Sequence, residues 1–189
     1  NRQFPKTKNA TDARGILATA LWEFVGEQKP DWVIDLHEGF DFNQLNSKSV
    51  GSTIIDAKGK AAAIVVPLML QAVNAEITDP KKKLIRLRYP VDGSLARAAH
   101  ERLAATAMIL ETTSKSQPLS LRARQHRLMV HALLKHLQMT ADSPHVLVPT
   151  KTESLCVAIY DAGGVGGNGP RNLDRVLRGM KHVLVQRVG

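Results

Sequence analysis

The residues best suited to chemistry are a histidine and a glutamate that each close a short apolar run. His37 closes the run at residues 32–37, and Glu111 closes the run at residues 107–111. A histidine in this position can offer one ring nitrogen to a metal ion while a nearby acceptor such as Asp35 fixes the other. A carboxylate beside an apolar run is partly desolvated, which raises its pKa and suits a general base that activates water. Taken alone, each residue also fits an ordinary structural role.

Two further features have the chemistry to bind a substrate. Tyr89 ends the alternating segment 84–89, and its hydroxyl could donate a hydrogen bond to a developing oxyanion. A half-buried aromatic residue at the end of a strand is the structural alternative. Arg2 can hold a carboxylate through two parallel N–H bonds, and Asn1 can add a donor. In isolation, an arginine so near a chain end is an ordinary surface residue.

Alternating helices and strands must position these residues. The spacing of apolar residues predicts helices over 11–28, 58–75, 93–103 and 118–139, and strands over 32–37, 52–56, 84–89 and 107–111. Pro67 is expected to kink or restart the second helix. This order predicts an α/β fold with a mixed, mostly parallel sheet and helices on both faces. His37 and Glu111 then lie at the carboxyl ends of strands, where functional residues of such sheets gather.

The order of these motifs resembles the second half of zinc carboxypeptidases and of the related succinylglutamate desuccinylase/aspartoacylase deacylases. The motifs are Asn1-Arg2 followed by Phe4-Pro5, then Asp35-Leu36-His37, then Tyr89 and Glu111. The resemblance covers residues 1–139. It implies a zinc-dependent hydrolase that cleaves an amide bond in a small-molecule or peptide substrate with a carboxylate.

The resemblance also implies a role for each matching residue. Asn1 and Arg2 would bind the substrate carboxylate, His37 would be a zinc ligand, and Glu111 would be the general base. Tyr89 would correspond to the mobile tyrosine of the carboxypeptidases. Tyr89 favours a carboxypeptidase, whereas the Phe-Pro pair after Arg2 favours a deacylase, so both activities stay open.

One part of the family pattern is absent from the sequence. The family's first two zinc ligands come from a His-x-x-Glu motif, which occurs nowhere in the 189 residues. His126, His131 and His136 do not replace it, because a spacing of five turns each by about 140° around a helix. Catalytic zinc takes three protein ligands and a water. We therefore expect an upstream segment to supply the other ligands and the isolated chain to be inactive. The alternative is a non-catalytic binding module with the same fold, a degraded metal site and a basic surface for acidic partners.

The composition of the chain also argues against some classes of partner. The 26 Lys and Arg residues exceed the 17 Asp and Glu residues, for a net charge of +9, but the basic residues are scattered. No aromatic residues alternate with them as a base-stacking surface would need, so no nucleic acid is expected. No stretch of 18 apolar residues is present, so no membrane span is expected. The oligomeric state and the compartment stay open.

The last part of the chain has a different organisation. Residues 140–153 resemble a linker, and residues 154–189 predict a β-α-β unit that resembles the start of an amidotransferase-like domain. Five glycines between residues 161 and 170 follow its first strand. They match neither the dinucleotide-binding nor the phosphate-loop pattern, so a flexible connection is the preferred interpretation and no activity is assigned to it.

Overall fold

The computed structural model describes residues 2–6, 12–140, 155–160 and 183–188. The chain divides into two compact units, Asn1–Asp142 and Ser143–Gly189. The described part of the first unit contains four α-helices and four strands, with a short 3-10 turn before β3. In chain order they are α1 (Ile16–Gln28), β1 (Trp32–Gly39), β2 (Thr53–Asp56), α2 (Lys60–Asn74), β3 (Ile85–Leu87), α3 (Leu95–Leu103), β4 (Thr106–Thr113) and α4 (Leu119–His136).

The four strands of the first unit form one mixed sheet in the order β1-β4-β2-β3. The pairs β1–β4 and β2–β3 are parallel, whereas β2 runs antiparallel to β4. The two outer pairs are thus parallel and the central pair is antiparallel. This arrangement confirms the predicted mixed, mostly parallel sheet.

Apolar side chains of the helices cover both faces of this sheet. On one face, α2 and α4 pack in a core that includes Ile54, Met69, Met108, Leu110 and Met129. On the other face, α3 and part of α1 pack against Val33, Ile55, Ala107 and Ile109. Strand side chains alternate between the two faces, so β1, β2 and β4 contribute to both cores, whereas β3 contributes Leu87 to the second. The predicted α/β class is therefore confirmed.

Four details differ from the sequence-based prediction. Strand β3 covers only Ile85–Leu87 of the predicted 84–89, so Tyr89 lies beyond its end. Strands β1 and β4 continue two residues beyond His37 and Glu111, because their parallel pairing extends to Gly39 and Thr113. Helix α1 begins at Ile16 with Gly15 as its N-cap, later than the predicted start. Helix α2 does not restart at its internal proline, which is exposed, so the backbone carbonyl that loses its donor can be hydrated.

The second unit contributes two described strands, β5 (Leu155–Tyr160) and β6 (Val183–Val188). They pair in parallel along their whole length, as a β-α-β unit requires. The connecting segment, including the glycine-rich stretch, and nearly all of the predicted linker lie outside the described residues. No helix in the described residues is long and apolar enough to cross a membrane.

Candidate active site

On the sheet face that packs against α3, the side chains of β1 and β4 are apolar at first and ionisable farther along each strand. Val33 in β1 and Ile109 in β4 belong to the core. Because side chains alternate along a strand, Asp35, His37 and Glu111 point to this same face. The register pairs His37 with Glu111, and paired residues on neighbouring strands lie about 5 Å apart. Strand pairing therefore places the histidine and the glutamate side by side.

Glu111 is a buried carboxylate. Only 5% of the residue is exposed, and its Oε2 atom has no hydrogen-bond partner among the described residues. Burial raises the pKa of Glu111 to about 7; the charge of His37 acts to lower it, and the charge of Asp35 raises it further. A carboxyl group with this pKa can both accept and return a proton at neutral pH. The sequence predicted the direction of this shift from the apolar run before Glu111.

His37 contacts an acidic side chain on its own strand. Its Nε2 atom lies 2.9 Å from Oδ1 of Asp35, and the two side chains are 26% and 21% exposed. When Nε2–H donates to this carboxylate, the ring orientation is fixed and the lone pair is on Nδ1. The sequence predicted that Asp35 and His37 point to the same face of the sheet. The structure shows in addition that their side chains are in contact. A carboxylate in this position typically orients a histidine that binds a metal.

Residues 2–6 lie beside the cleft because Phe4 anchors them. Phe4 is 9% exposed, and its ring meets Trp22 edge-on with a centroid distance of 6.5 Å. The Phe4 N–H donates to the carbonyl of Gly93 at 3.0 Å. Gly93 has a φ of +84°, and a Cβ atom there would lie 3.0 Å from the Arg2 carbonyl oxygen, so glycine suits this close approach. Arg2 is exposed and faces the cleft. Asn1 lies outside the described residues.

We predict that Phe4→Leu destabilises the protein by about 1 kcal/mol, because a smaller side chain of another shape must fill the same buried site. Urea unfolding measures this change. The matched control is Phe24→Leu on α1, where the aromatic side chain is 58% exposed and the expected change is within about 0.5 kcal/mol. Equal effects of the two substitutions would contradict the anchoring role of Phe4.

Tyr89 lies in the wall of the same cleft. Its hydroxyl is 3.4 Å from Oε1 of Glu101, and its ring packs edge-on against His100 at 6.3 Å. The guanidinium of Arg97 lies 4.8 Å from the ring centroid. Burial raises the pKa of Tyr89, with a further contribution from the charge of Glu101. The phenol therefore keeps its proton at neutral pH and can act as a donor.

One cavity of about 390 Å³ brings Arg2, His37, Tyr89 and Glu111 together. These four are all of the predicted site residues that the structure describes. Three further polar residues, which the sequence did not single out, also line the cavity: Glu38, Arg88 and Ser94. The only signal for the first two was their position next to His37 and Tyr89 in the chain.

A complete metal site is not present in the described residues. Within 2–6, 12–140, 155–160 and 183–188, no group of three or more His, Cys, Asp or Glu side chains is placed to hold a metal ion. His126 lies 3.2 Å from the hydroxyl of Thr112, whose side chain points to the opposite face of the sheet from Glu111. The described residues therefore offer His37 as one ligand but do not fit a complete zinc site.

Solved structures of Csd4, a cell shape determinant protein from Helicobacter pylori, share the fold of this chain. The apo form matches with a TM-score of 0.58 at 16% identity, over 78% of this chain and 40% of that chain. The tripeptide-bound form gives a TM-score of 0.59 at 17% identity, over 78% and 41% of the two chains. The mDAP-bound form of Csd4, a D,L-carboxypeptidase, gives 0.56 at 16% identity, over 85% and 48%.

These matches establish that the chain has a carboxypeptidase-like fold. The sequence identity is too low for them to show more than the fold. The chain spans between 40% and 48% of the length of these Csd4 chains. No family model matches the sequence. No curated protein sequence matches it either.

Proposed function

We propose that this chain forms part of the active site of a hydrolase that cleaves an amide bond in a substrate bearing a carboxylate. The observation that carries this proposal is the buried Glu111, which is paired with His37 across neighbouring strands and lines a cleft that Arg2 also lines. Its Oε2 atom has no hydrogen-bond partner in the part of the chain that the structure describes. An unpaired carboxylate oxygen in such a place is costly for a purely structural residue. Groups with strongly shifted pKa values in a cleft are typical of catalytic sites.

Three of the described residues have separate roles in the proposed reaction. Glu111 takes a proton from the attacking water and passes it to the leaving nitrogen, and its pKa of about 7 suits both transfers. Arg2 binds the substrate carboxylate with a pair of parallel N–H donors. Tyr89 donates its hydroxyl hydrogen to the developing oxyanion. Asn1, outside the described residues, is proposed as an additional donor to the substrate carboxylate.

We also propose zinc as the cofactor, with His37 as one ligand. The contact between His37 and Asp35 supports this assignment, because it orients the ring as a metal ligand requires. The remaining ligands are not assigned.

The substrate is either a peptide with a free carboxyl end or an N-acyl amino acid. The fold of Csd4, a D,L-carboxypeptidase also solved with a tripeptide bound, favours a peptide. Tyr89 in the cleft wall agrees with that choice. We therefore propose a metallocarboxypeptidase first and a deacylase second.

The test is zinc content and amide hydrolysis in the full-length protein. We expect about one zinc per chain and hydrolysis of either short peptides or N-acetyl amino acids, with both zinc and activity lost in His37→Ala. The control is His136→Ala, because His136 is an exposed residue at the end of α4 and does not line the cleft. Absence of both zinc and hydrolysis from the wild-type protein would reject the enzyme and leave the non-catalytic binding module.

A further inference from the structure

The hydroxyl hydrogen of Tyr89 has an acceptor that the proposed reaction does not use. The hydroxyl donates to Oε1 of Glu101 on α3, with an oxygen–oxygen distance of 3.4 Å. This hydrogen bond is long, so little free energy is lost when the hydroxyl exchanges it for another. A phenol has one hydrogen to donate. Tyr89 can therefore donate to Glu101 or to a developing oxyanion, but not to both at once.

Arg97 holds Glu101 in this position. Its Nε atom donates to the same Oε1 atom at 2.9 Å. The two residues are four positions apart on α3, so their side chains lie on one side of the helix. The guanidinium also packs against the ring of Tyr89, 4.8 Å from its centroid. Arg97 thus contacts both the aromatic ring and the carboxylate that accepts the hydroxyl hydrogen.

The helix that carries this pair is fixed in the fold, whereas Tyr89 lies on an irregular segment between β3 and α3. The hydroxyl of Ser94 caps α3 by accepting from the N–H of Arg97 at 3.3 Å. Three alanines of the helix are buried: Ala96, Ala98 and Ala99. Tyr89 can therefore change its hydrogen-bond acceptor while Glu101 stays in place.

The charges around Tyr89 are mostly positive, and Glu101 opposes them. Besides Arg97, the ammonium of Lys58 lies 5.7 Å from the ring centroid, and His100 packs edge-on against the ring. Burial raises the pKa of Tyr89, and the charge and hydrogen bond of Glu101 raise it further, whereas the charge of Arg97 lowers it. Glu101 therefore helps the hydroxyl to keep its proton.

We propose that Glu101 is a positioning residue for Tyr89, which competes with the substrate for the hydroxyl hydrogen and so sets how readily Tyr89 donates into the cleft. Glu101 does not line the cavity, so it acts through Tyr89. Arg97 supports this role because it fixes the carboxylate. The proposal rests on the proposed function, because it takes Tyr89 as the donor to the oxyanion.

The first test is a double-mutant cycle on amide hydrolysis by the full-length protein, with a short peptide or N-acetyl amino acid that the wild type cleaves. We expect Glu101→Ala to raise kcat between about two- and fivefold with KM unchanged, because loss of the competing acceptor favours donation in the transition state. In the Tyr89→Phe background the same substitution should have no effect, since no hydroxyl is left to release.

The matched control is Glu76→Ala. Glu76 is likewise ion-paired with an arginine, Arg124, but it does not line the cleft and does not contact Tyr89, so kcat should not change. Circular dichroism of each variant confirms that it is folded.

The second test does not depend on hydrolysis. Tyrosines labelled with ¹³C at Cζ give one NMR signal each, and the signal that is missing from Tyr89→Phe belongs to Tyr89. We expect Tyr89 to ionise at a lower pH in Glu101→Gln than in the wild type, because the negative charge that opposes the phenolate is gone.

The two tests separate this proposal from the proposed function. Ionisation of Tyr89 at the same pH in the wild type and in Glu101→Gln would overturn the proposal. A kcat that Glu101→Ala leaves unchanged, or changes equally in the Tyr89→Phe background, would also overturn it. Ionisation at a lower pH in Glu101→Gln, without any amide hydrolysis by the wild type, would support the hold of Glu101 on Tyr89 and reject the enzyme.

Discussion

Replacing Glu111 with glutamine is expected to have opposite effects on activity and on stability. Loss of the general base should lower amide hydrolysis by between about a hundredfold and ten-thousandfold, the range typical of such groups. At the same time the variant should be more stable than the wild type above neutral pH. The reason is that the wild-type protein must bury a negative charge at Glu111 in this pH range, whereas a glutamine of the same shape is neutral.

The sign and the pH window follow from the shifted pKa. In the folded state the pKa of Glu111 is raised from 4.5 to about 7. Between these two values the folded state binds more protons at this site than the unfolded state, so stability falls as the pH rises. The stability that Glu111 contributes in its protonated form is fully present below pH 4.5. This contribution is lost as the pH rises through the folded-state pKa, and it amounts to about 3 kcal/mol in total. Because Glu111 is 5% exposed, solvent screens this effect little.

Urea unfolding at pH 5 and pH 8 measures this prediction. We expect Glu111→Gln to differ little from the wild type at pH 5 and to be more stable by about 3 kcal/mol at pH 8. The control is Glu23→Gln, an exposed position on α1, where the change should be small at both values. If the variant and the wild type lost stability in parallel between pH 5 and pH 8, the buried charge on Glu111 would not be the cause.

The sequence predicted the elements and the direction of the Glu111 pKa because both depend on local patterns. Apolar spacing marks each helix and strand, and the apolar run before Glu111 indicates burial of whatever follows on the same face. The resemblance to zinc hydrolases then selected Arg2, His37, Tyr89 and Glu111 from many polar residues. The structure places all four around one cavity, although their roles stay predictions.

What the sequence did not predict depends on contacts between distant segments. The pairing of His37 with Glu111 joins two strands 74 positions apart, and no local pattern specifies which strand lies beside which. The antiparallel pairing of β2 with β4 is of the same kind. The ion pair between Arg86 and the buried Asp56 also joins segments that are far apart in the chain, and only the structure shows it.

Gly39, two residues beyond His37, makes one of these long-range contacts. We expect Gly39→Ala to be strongly destabilising. A Cβ atom at Gly39 would fall inside the contact distance of the backbone N and Cα atoms of Gly51. Gly51 has no room to retreat, because a Cβ atom built on it would itself lie 2.5 Å from the Asp41 carbonyl oxygen and 2.6 Å from Oγ1 of Thr113. The obstacle is therefore backbone packed on backbone, which cannot rotate away as a side chain can.

Hydrogen bonds hold both backbones in place. The Gly39 carbonyl accepts from the N–H of Ser114 at 3.0 Å, and the Gly51 carbonyl accepts from the N–H of Asn43 at 2.9 Å. Relief of the clash must break such bonds or shift the end of β1. We therefore expect Gly39→Ala to lower the free energy of unfolding by about 3 kcal/mol or more, at the upper end for overpacked sites.

The matched control is Gly26→Ala in α1, where an added Cβ atom meets nothing within 4 Å. Alanine favours the helix over glycine, so this variant should gain between about 0.5 and 1 kcal/mol. Urea unfolding of the two variants thus compares the same added methyl group at two sites. The expected changes in the free energy of unfolding have opposite signs. Because Gly39 continues the strand that carries His37, a folded Gly39→Ala variant should also show displaced backbone amide signals at residues 35–39 in NMR spectra. A Gly39→Ala protein as stable as the wild type, with those signals unmoved, would mean that the close approach of Gly39 and Gly51 does not exist in solution.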